Sequence, residues 1–253
     1  MPNAPPEPLS DAPSARFVKR PAARLRDRLP ADCRVCRQWG AGGLCEGCVR
    51  QFCTQRPRCL QCGLGLPPSA GDGAVCGSCL REPPPWQRAL CAEDYAFPWS
   101  GLIAEYKFRG DVALAGLLAD RMSTALRQRP GALNVDLLLP VPLSTQRLQE
   151  RGFNQAWELT RRVASCFKLT AEAHVLQRPI DTAHQVDLSL QDRARNLRGA
   201  FMVAPDCRQA VDGRRVALVD DVMTTGATFR EATRALLEAG ASAVHVWALA
   251  RTP

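Results

Sequence analysis

Two sets of residues in this sequence have the types and spacing that chemistry requires. The first is the pair Asp220 and Asp221, which ends an apolar run and precedes a threonine-rich turn in VALVDDVMTTGATF, Val216 to Phe229. A helix beginning around Thr225 to Thr228 would offer unpaired N–H groups and a partial positive charge to a phosphate. Gly226 would let the backbone come close, and Thr224, Thr225 and Thr228 would add hydroxyl donors. Two carboxylates repel that phosphate, so they must serve another part of the same ligand. A vicinal diol fits, because a carboxylate accepts two hydrogen bonds from it. A ribose carrying a terminal phosphate satisfies both halves. A capped helix after a core strand would account for Thr225 and Gly226 but not for adjacent aspartates. A Walker loop is excluded by the missing lysine, and a Rossmann fingerprint by the missing second and third glycines.

The second set is cysteine. Of 12 cysteines, eight form four CxxC pairs: Cys33 with Cys36, Cys45 with Cys48, Cys59 with Cys62, and Cys76 with Cys79. Two thiolates from one tight turn reach a single cation, and two such turns complete a tetrahedron. The pattern predicts two structural Zn²⁺ ions with no open coordination position. Sequential pairing (Cys33, Cys36, Cys45, Cys48, then Cys59, Cys62, Cys76, Cys79) is the simplest arrangement; interleaved ligation is also compatible with the spacing. Disulfides fit less well without a secretion signal, and four pairs exceed what one redox site needs. Cys53, Cys91, Cys166 and Cys207 have no partner spacing and read as packed or incidental thiols.

The elements that position these groups follow from periodicity and punctuation. Residues 1–30 read as a disordered, basic leader without an apolar signal core, and 31–82 as a double zinc ribbon. The stretch PPPWQ at 83–87 is a stiff linker, and 88–253 carries the α/β texture. In that part, ALCAEDYAF, VDLLLPVPL, AHVLQR, RRVALVDDV and SAVHVWALART have strand character, VDLLLPVPL as a central parallel strand. The segments WSGLIAEYKFRGD, VALAGLLADRMSTALRQRP (stopped by Pro130 and Gly131), NQAWELTRRVASCFKL, a short charged piece in SLQDRARNLRGAF, and TFREATRALLEAG read as helices. Alternating strands and helices predict a doubly wound parallel α/β sheet, whose ligand crevice lies at the carboxyl ends of strands.

Net charge is +8 with 46% hydrophobic residues. The basic excess suits polyanions without choosing among them. No apolar run approaches the roughly 20 residues of a membrane helix, so no membrane segment is expected and the cytoplasm is the expected location. His184 reads as a bystander and His245, on a strand between apolar neighbours, as structural.

VALVDDVMTTGAT resembles the phosphoribosyl-pyrophosphate motif of type I phosphoribosyltransferases. Together with PVPLSTQRLQERGFNQA, DTAHQVDLSLQDRARNLRGAF and the cysteine-rich lead, residues 31–253 resemble the ComF/GntX family of competence-related proteins. The resemblance implies a zinc ribbon pair ahead of a type I phosphoribosyltransferase-like parallel sheet flanked by helices. It makes Thr224, Thr225, Gly226, Ala227 and Thr228 the 5′-phosphate loop, and Asp220 and Asp221 the ribose ligands, directly or through Mg²⁺-bound water. Mg²⁺ would be held mainly by substrate oxygens. Arg147 and Arg151 would bind pyrophosphate, with Asn154 and Gln155 as polar partners; as an alternative, the arginines are solvated helix faces. Thr182, Gln185, Arg193 and Asn196 fall in a flap over 178–198 that would exclude water. Lys107 and Arg109 of YKFRGD are either a buttress for the phosphate site or a surface pair.

Two functions follow. One is a transferase that takes phosphoribosyl pyrophosphate, or a related phosphosugar or nucleotide, to an unnamed acceptor. The other is a non-catalytic DNA-uptake factor that binds single-stranded DNA and competence-machinery proteins. Between Cys33 and Cys79 only Trp39 and Phe52 are available to stack on bases.

Overall fold

The computed structural model describes residues 31–40, 43–53, 56–71, 73–108, 111, 113–129, 131–179 and 199–253. The expected leader, Arg109, Pro130, and the flap residues Thr182, His184, Gln185, Arg193 and Asn196 lie outside the described residues.

The cysteine-rich part is built from turns around thiols. Strands β1 (Ala31–Asp32) and β2 (Trp39–Gly40) pair antiparallel about the Cys33 turn, and helix α1 (Glu46–Phe52) follows. Cys45 stands at the α1 N-cap, where its Sγ accepts the Cys48 N–H. Helix α2 (Gly77–Arg81) takes the same place after Cys76 in the second half.

The α/β part then runs β3 (Arg88–Asp94), α3 (Trp99–Phe108), α4 (Leu114–Arg127), β4 (Leu137–Pro140), α5 (Thr145–Arg151), α6 (Gln155–Phe167) and β5 (Thr170–Ala171). After these come β6 (Leu176–Gln177), β7 (Met202–Val203), β8 (Arg215–Met223), α7 (Ala227–Glu238) and β9 (Ala243–Arg251). Five strands form a parallel sheet in the order β3-β9-β8-β4-β5. β4 and β9 are buried along nearly their whole length, as their unbroken apolar sequences require between two helical layers. On one face Ala217 and Val219 of β8 pack with α3, α4 and α6; on the other Val216 and Leu218 pack with α7, Trp86 and Phe201. This is the doubly wound arrangement that the alternation predicts, with β4 inside the sheet between β8 and β5. The AHVLQR segment leaves the main sheet: β6 pairs antiparallel with β7.

Among the described α-helices of the sheet domain, one has no counterpart in the sequence reading. The stretch after VDLLLPVPL contains α5. Ser144 caps it by accepting the Arg147 N–H at 3.5 Å, and Gly152 ends it in the left-handed conformation at φ 74. The helix buries none of its residues, so it carries no apolar periodicity to detect.

Both halves of the cysteine-rich part are docked on the sheet domain. Cys33, Leu44 and Cys48 share an apolar cluster with Trp99, Leu102 and Leu118. The Trp99 indole N–H donates to Phe52 O at 3.1 Å, and Arg34 pairs with Asp111 at 3.0 Å. In the second half Ala89 N–H donates to Leu60 O at 2.9 Å, and Arg58 Nη1 to Asp94 Oδ1 at 2.9 Å. The proline stretch at 83–87 therefore joins parts already bonded to one another, and Trp86 within it is buried.

Gly63 shows how close this docking is. Its φ is +69, and a Cβ there would lie 2.3 Å from Cys91 Sγ and 2.9 Å from Cys91 Cβ. Gly63→Ala combines left-handed strain with overpacking, an expected loss of about 2–4 kcal/mol. Chemical denaturation of the variant beside the parent protein measures it.

Candidate functional site

β8 pairs with β4 in parallel register, Leu137 opposite Val216 through Pro140 opposite Val219, and Val141 N–H donates to Val219 O at 2.9 Å. Both strands therefore end at one edge. The β4 exit leads into α5 and α6; the β8 exit holds Asp220, Asp221 and the threonine turn.

The two aspartates point to opposite sides of the sheet edge, as successive residues on a strand must. Asp221 follows Val219 toward α3. It is 3% exposed, and its Oδ1 pairs with Lys107 Nζ at 2.9 Å. Its Oδ2 is buried and has no hydrogen-bond partner among the described residues. Lys107, with its side chain 21% exposed, is thus the counter-ion of an acid rather than half of a surface pair. Asp220 is half-buried on the other side, and its Oδ1 accepts the Asp221 N–H at 2.8 Å. Burial first, and then the Asp221 carboxylate beside it, push the Asp220 carboxyl well above the usual carboxylate range, partly opposed by Lys107. Such a pair is incomplete by itself. A cation or ribose hydroxyls would supply the donors and positive charge that favour its ionised form, so these residues fit Mg²⁺ or a diol.

Beyond Met223, Thr224 and Thr225 are exposed, and Gly226 occupies the N-cap of α7 at φ 81. Thr225 Oγ1 accepts the Ala227 N–H at 3.3 Å, tightening the turn. Gly226 has no side chain with which to cap the helix, and the first turn of α7 holds no acidic residue. Ala227 and Thr228 begin that turn, and with the Ala227 N–H already given to Thr225 Oγ1, the amides of Thr228 and Phe229 and the hydroxyls of Thr224 and Thr228 are its anion donors.

Opposite, α5 and the start of α6 bring the cations. Arg147 is half-buried; desolvation and the nearby Arg151 lower its pKa, while Glu150 and Asp220 raise it, which places it within electrostatic reach of the acids. Arg151 lies over the Phe108 ring at 5.5 Å and donates to Gln155 Oε1 at 3.1 Å. Asn154 is occupied structurally. Its Oδ1 caps α6 by accepting from Ala156 N–H at 2.9 Å and Trp157 N–H at 3.3 Å, and its Nδ2 donates to Val141 O at 3.2 Å. Gln155 is buried, with its Nε2 lacking a partner among the described residues. His245 is also buried, 3.3 Å from Gln87 Oε1, consistent with the structural role read for it.

The cysteines gather into two sequential tetrads, Cys33, Cys36, Cys45, Cys48 and Cys59, Cys62, Cys76, Cys79, with the sulfurs of each within 4.8 Å of one another. Cys36 and Cys45 are 3.5 Å apart and Cys62 and Cys76 3.6 Å. A tetrahedral ion with Zn–S bonds of ~2.3 Å needs sulfur–sulfur edges of ~3.8 Å, so either tetrad could hold zinc. Of the two stacking candidates, Trp39 is 76% exposed, whereas Phe52 packs edge-on against Phe97 at 5.4 Å. Sequence reasoning missed the wall opposite the threonine turn. A cleft of ≈180 Å³ there is lined by Cys62, Cys76, Trp86, Thr225, Arg230 and Arg251, among others. Trp86 and Arg251 carry no motif, and only tertiary contact identifies them.

The DNA utilization protein YhgH of Escherichia coli strain K12 is 38% identical over 231 residues, covering 88% of this chain and 98% of that protein. Competence protein F of Haemophilus influenzae is 35% identical over 212 residues, covering 83% and 90%. The chain belongs to the ComF family. Residues 191–253 of this ComF-family chain match the phosphoribosyl transferase domain, a span that includes β8, the acidic pair and α7. A solved glutamine phosphoribosylpyrophosphate amidotransferase from Bacillus subtilis overlaps 57% of this chain and 30% of its own at 22% identity and a TM-score of 0.38. Among the described residues no helix is long and apolar enough to cross a membrane.

The raised Asp220 carboxyl has a measurable consequence. The folded protein holds this proton more tightly than the unfolded chain does. Its contribution to stability is therefore full below the ordinary carboxylate pKa and is lost as pH rises through the raised value. Asp220→Asn carries no charge and escapes that loss. Denaturation without ligand should find the variant more stable than the parent at about pH 7.5, the two converging near pH ~4.

Proposed function

We propose that this chain binds phosphoribosyl pyrophosphate, or a closely related phosphosugar, at the shared edge of β4 and β8, and acts there as a phosphoribosyltransferase. The observation that carries the reading is the turn after the acidic pair: exposed Thr224 and Thr225, then a left-handed Gly226 heading a 12-residue helix with no acid in its first turn. In this reading the turn takes the 5′-phosphate and Asp220 takes the ribose hydroxyls. Asp221 is held by Lys107 and lends its second oxygen to a hydroxyl or to Mg²⁺-bound water. Arg147 and Arg151 face the leaving pyrophosphate. Mg²⁺ would supply charge neutralisation on the phosphate oxygens. The protein's own part is to fix the sugar between turn and acids and to aim two guanidinium groups at the charge that develops as the C1–O bond breaks.

Each cysteine tetrad in this reading holds one structural zinc, and metal analysis of the purified protein should return two equivalents per chain; none, or one, would remove that part. Isothermal titration with phosphoribosyl pyrophosphate and Mg²⁺ tests the ligand. Asp220→Asn should bind at least about tenfold more weakly than the parent, since a charged hydrogen bond is lost. Equal heats from both proteins would refute the ribose assignment. Pyrophosphate release with a panel of bases then identifies the acceptor. The single-strand-binding alternative has the exposed Trp39 ring in its favour. One ring makes a poor base-stacking platform, so the phosphosugar reading is preferred.

A further inference from the structure

The second cysteine tetrad is bonded to the sheet domain through three successive carbonyls of its first turn. Leu60 O accepts the Ala89 N–H at 2.9 Å, Gln61 O accepts the Trp86 indole N–H, and Cys62 O accepts Arg251 Nε at 3.1 Å. Two of these donors continue to the threonine turn. Arg251 Nη1 also donates to Met223 O at 3.4 Å, on the residue directly before Thr224. The far edge of the Trp86 ring lies so near Gly226 that a Cβ there would stand 3.2 Å from it. Cys62, Cys76 and Cys79 form one wall of the cleft, and Thr225, Gly226 and Arg230 another. The first tetrad is attached elsewhere, through Trp99 to Phe52 O and through Arg34 to Asp111.

We infer that Trp86 and Arg251 are positioning residues that hold the Thr224–Gly226 turn in its anion-accepting shape, and that they do so only while the second tetrad carries its metal. The physical reason is the shared anchor. Four thiolates on one ion fix the 59–62 turn and with it the carbonyls of Gln61 and Cys62. Without the ion that turn loses its crosslink, the indole loses its acceptor Gln61 O, and the guanidinium loses Cys62 O while keeping Met223 O and Thr252 O. Met223 O is then left to the Thr252 N–H at 3.0 Å alone, Gly226 loses the ring packed beside it, and the amides at the head of α7 cease to converge on one point. The inference rests on the phosphosugar reading for its consequence, though not for the mechanical link. The second tetrad thus becomes part of the ligand site, while the first serves as a built-in control.

Hydrogen–deuterium exchange of the full chain, followed on peptides spanning 222–230, tests the link without any ligand. Cys76→Ser, which empties the second tetrad, should speed exchange of the hydrogen-bonded amides of this stretch, Ala227 and Arg230, about tenfold or more. Cys36→Ser, which empties the first, should leave them at the parent rate. Adding Arg251→Met to Cys76→Ser should bring no further acceleration. Arg251→Met and Trp86→Phe keep all eight thiols, so they stand independently of whether Cys76→Ser folds. Each should retain two zinc equivalents, speed the turn and weaken phosphoribosyl pyrophosphate about tenfold, the loss of one charged or buried hydrogen bond. Parent-like exchange in these two variants overturns the proposal, as does an equal response to Cys36→Ser or full additivity of Cys76→Ser with Arg251→Met. A turn that responds as expected in a protein that binds no phosphoribosyl pyrophosphate upholds the link and removes the ligand reading. Parent-like affinity in variants whose turn exchanges faster keeps the phosphosugar reading and overturns the part given to the turn's shape in binding.

Discussion

The register of β4 against β8 is the constraint from which the rest of the site follows. Four residues of each strand, apolar and buried, lie side by side in parallel, so both chain exits are forced onto one edge. One exit supplies arginines on a short exposed helix, the other supplies acids and a glycine-headed helix tip. A one-residue slip would turn Asp221 from Lys107 toward α7 and bury Asp220 beneath α3. The apolar run Val216 to Val219 therefore does more than fill the core: it fixes which acid is neutralised from within and which is left for a ligand.

That division of labour explains why two carboxylates can stand together in a mostly buried place. Asp221 has an internal cation, and its burial is tolerated on that account. Asp220 receives one backbone N–H and, among the described residues, no ion-pair partner, and it holds its proton unusually tightly. A site that is electrostatically unfinished in the free protein gains most from a ligand that brings hydroxyl donors or a cation. The same economy governs Gly226, where a capping side chain would stabilise α7 but occupy the donors.

Much of this was legible beforehand, for reasons that can be named. The four CxxC pairs are local, so their sequential grouping is written in spacing. β8, β9, α4, α6 and α7 announce themselves by apolar run or period. The acids and the turn are contiguous in sequence. What escaped was either exposed or distant. α5 buries nothing and has only Ser144 and Gly152 to mark it. Asn154 reads as a ligand partner from its type, yet NQA after a glycine turn is also an N-cap signal, and the structure uses it so. Lys107 meets Asp221, Trp86 meets Gly226, and Arg251 meets Cys62 across long stretches of chain, and no local pattern encodes such pairings. The resemblance identified the family and its motifs; it did not reveal that the cysteine-rich part forms a wall of the cleft.

The sheet order has a consequence for how the molecule comes into being. β3, the first strand of the sheet to be synthesised, has β9 as its partner in the sheet, and β9 is also the partner that completes β8. On the ribosome, β3 must wait through some 150 residues of later sequence before its ladder to β9 can form, a long loop closure of the kind that slows folding. During that interval its N–H and C=O groups form an open edge, which invites pairing between nascent chains. Insertion of the ninth strand between two waiting neighbours is thus the step that closes the sheet, and a nascent chain stalled short of it would have a divided core.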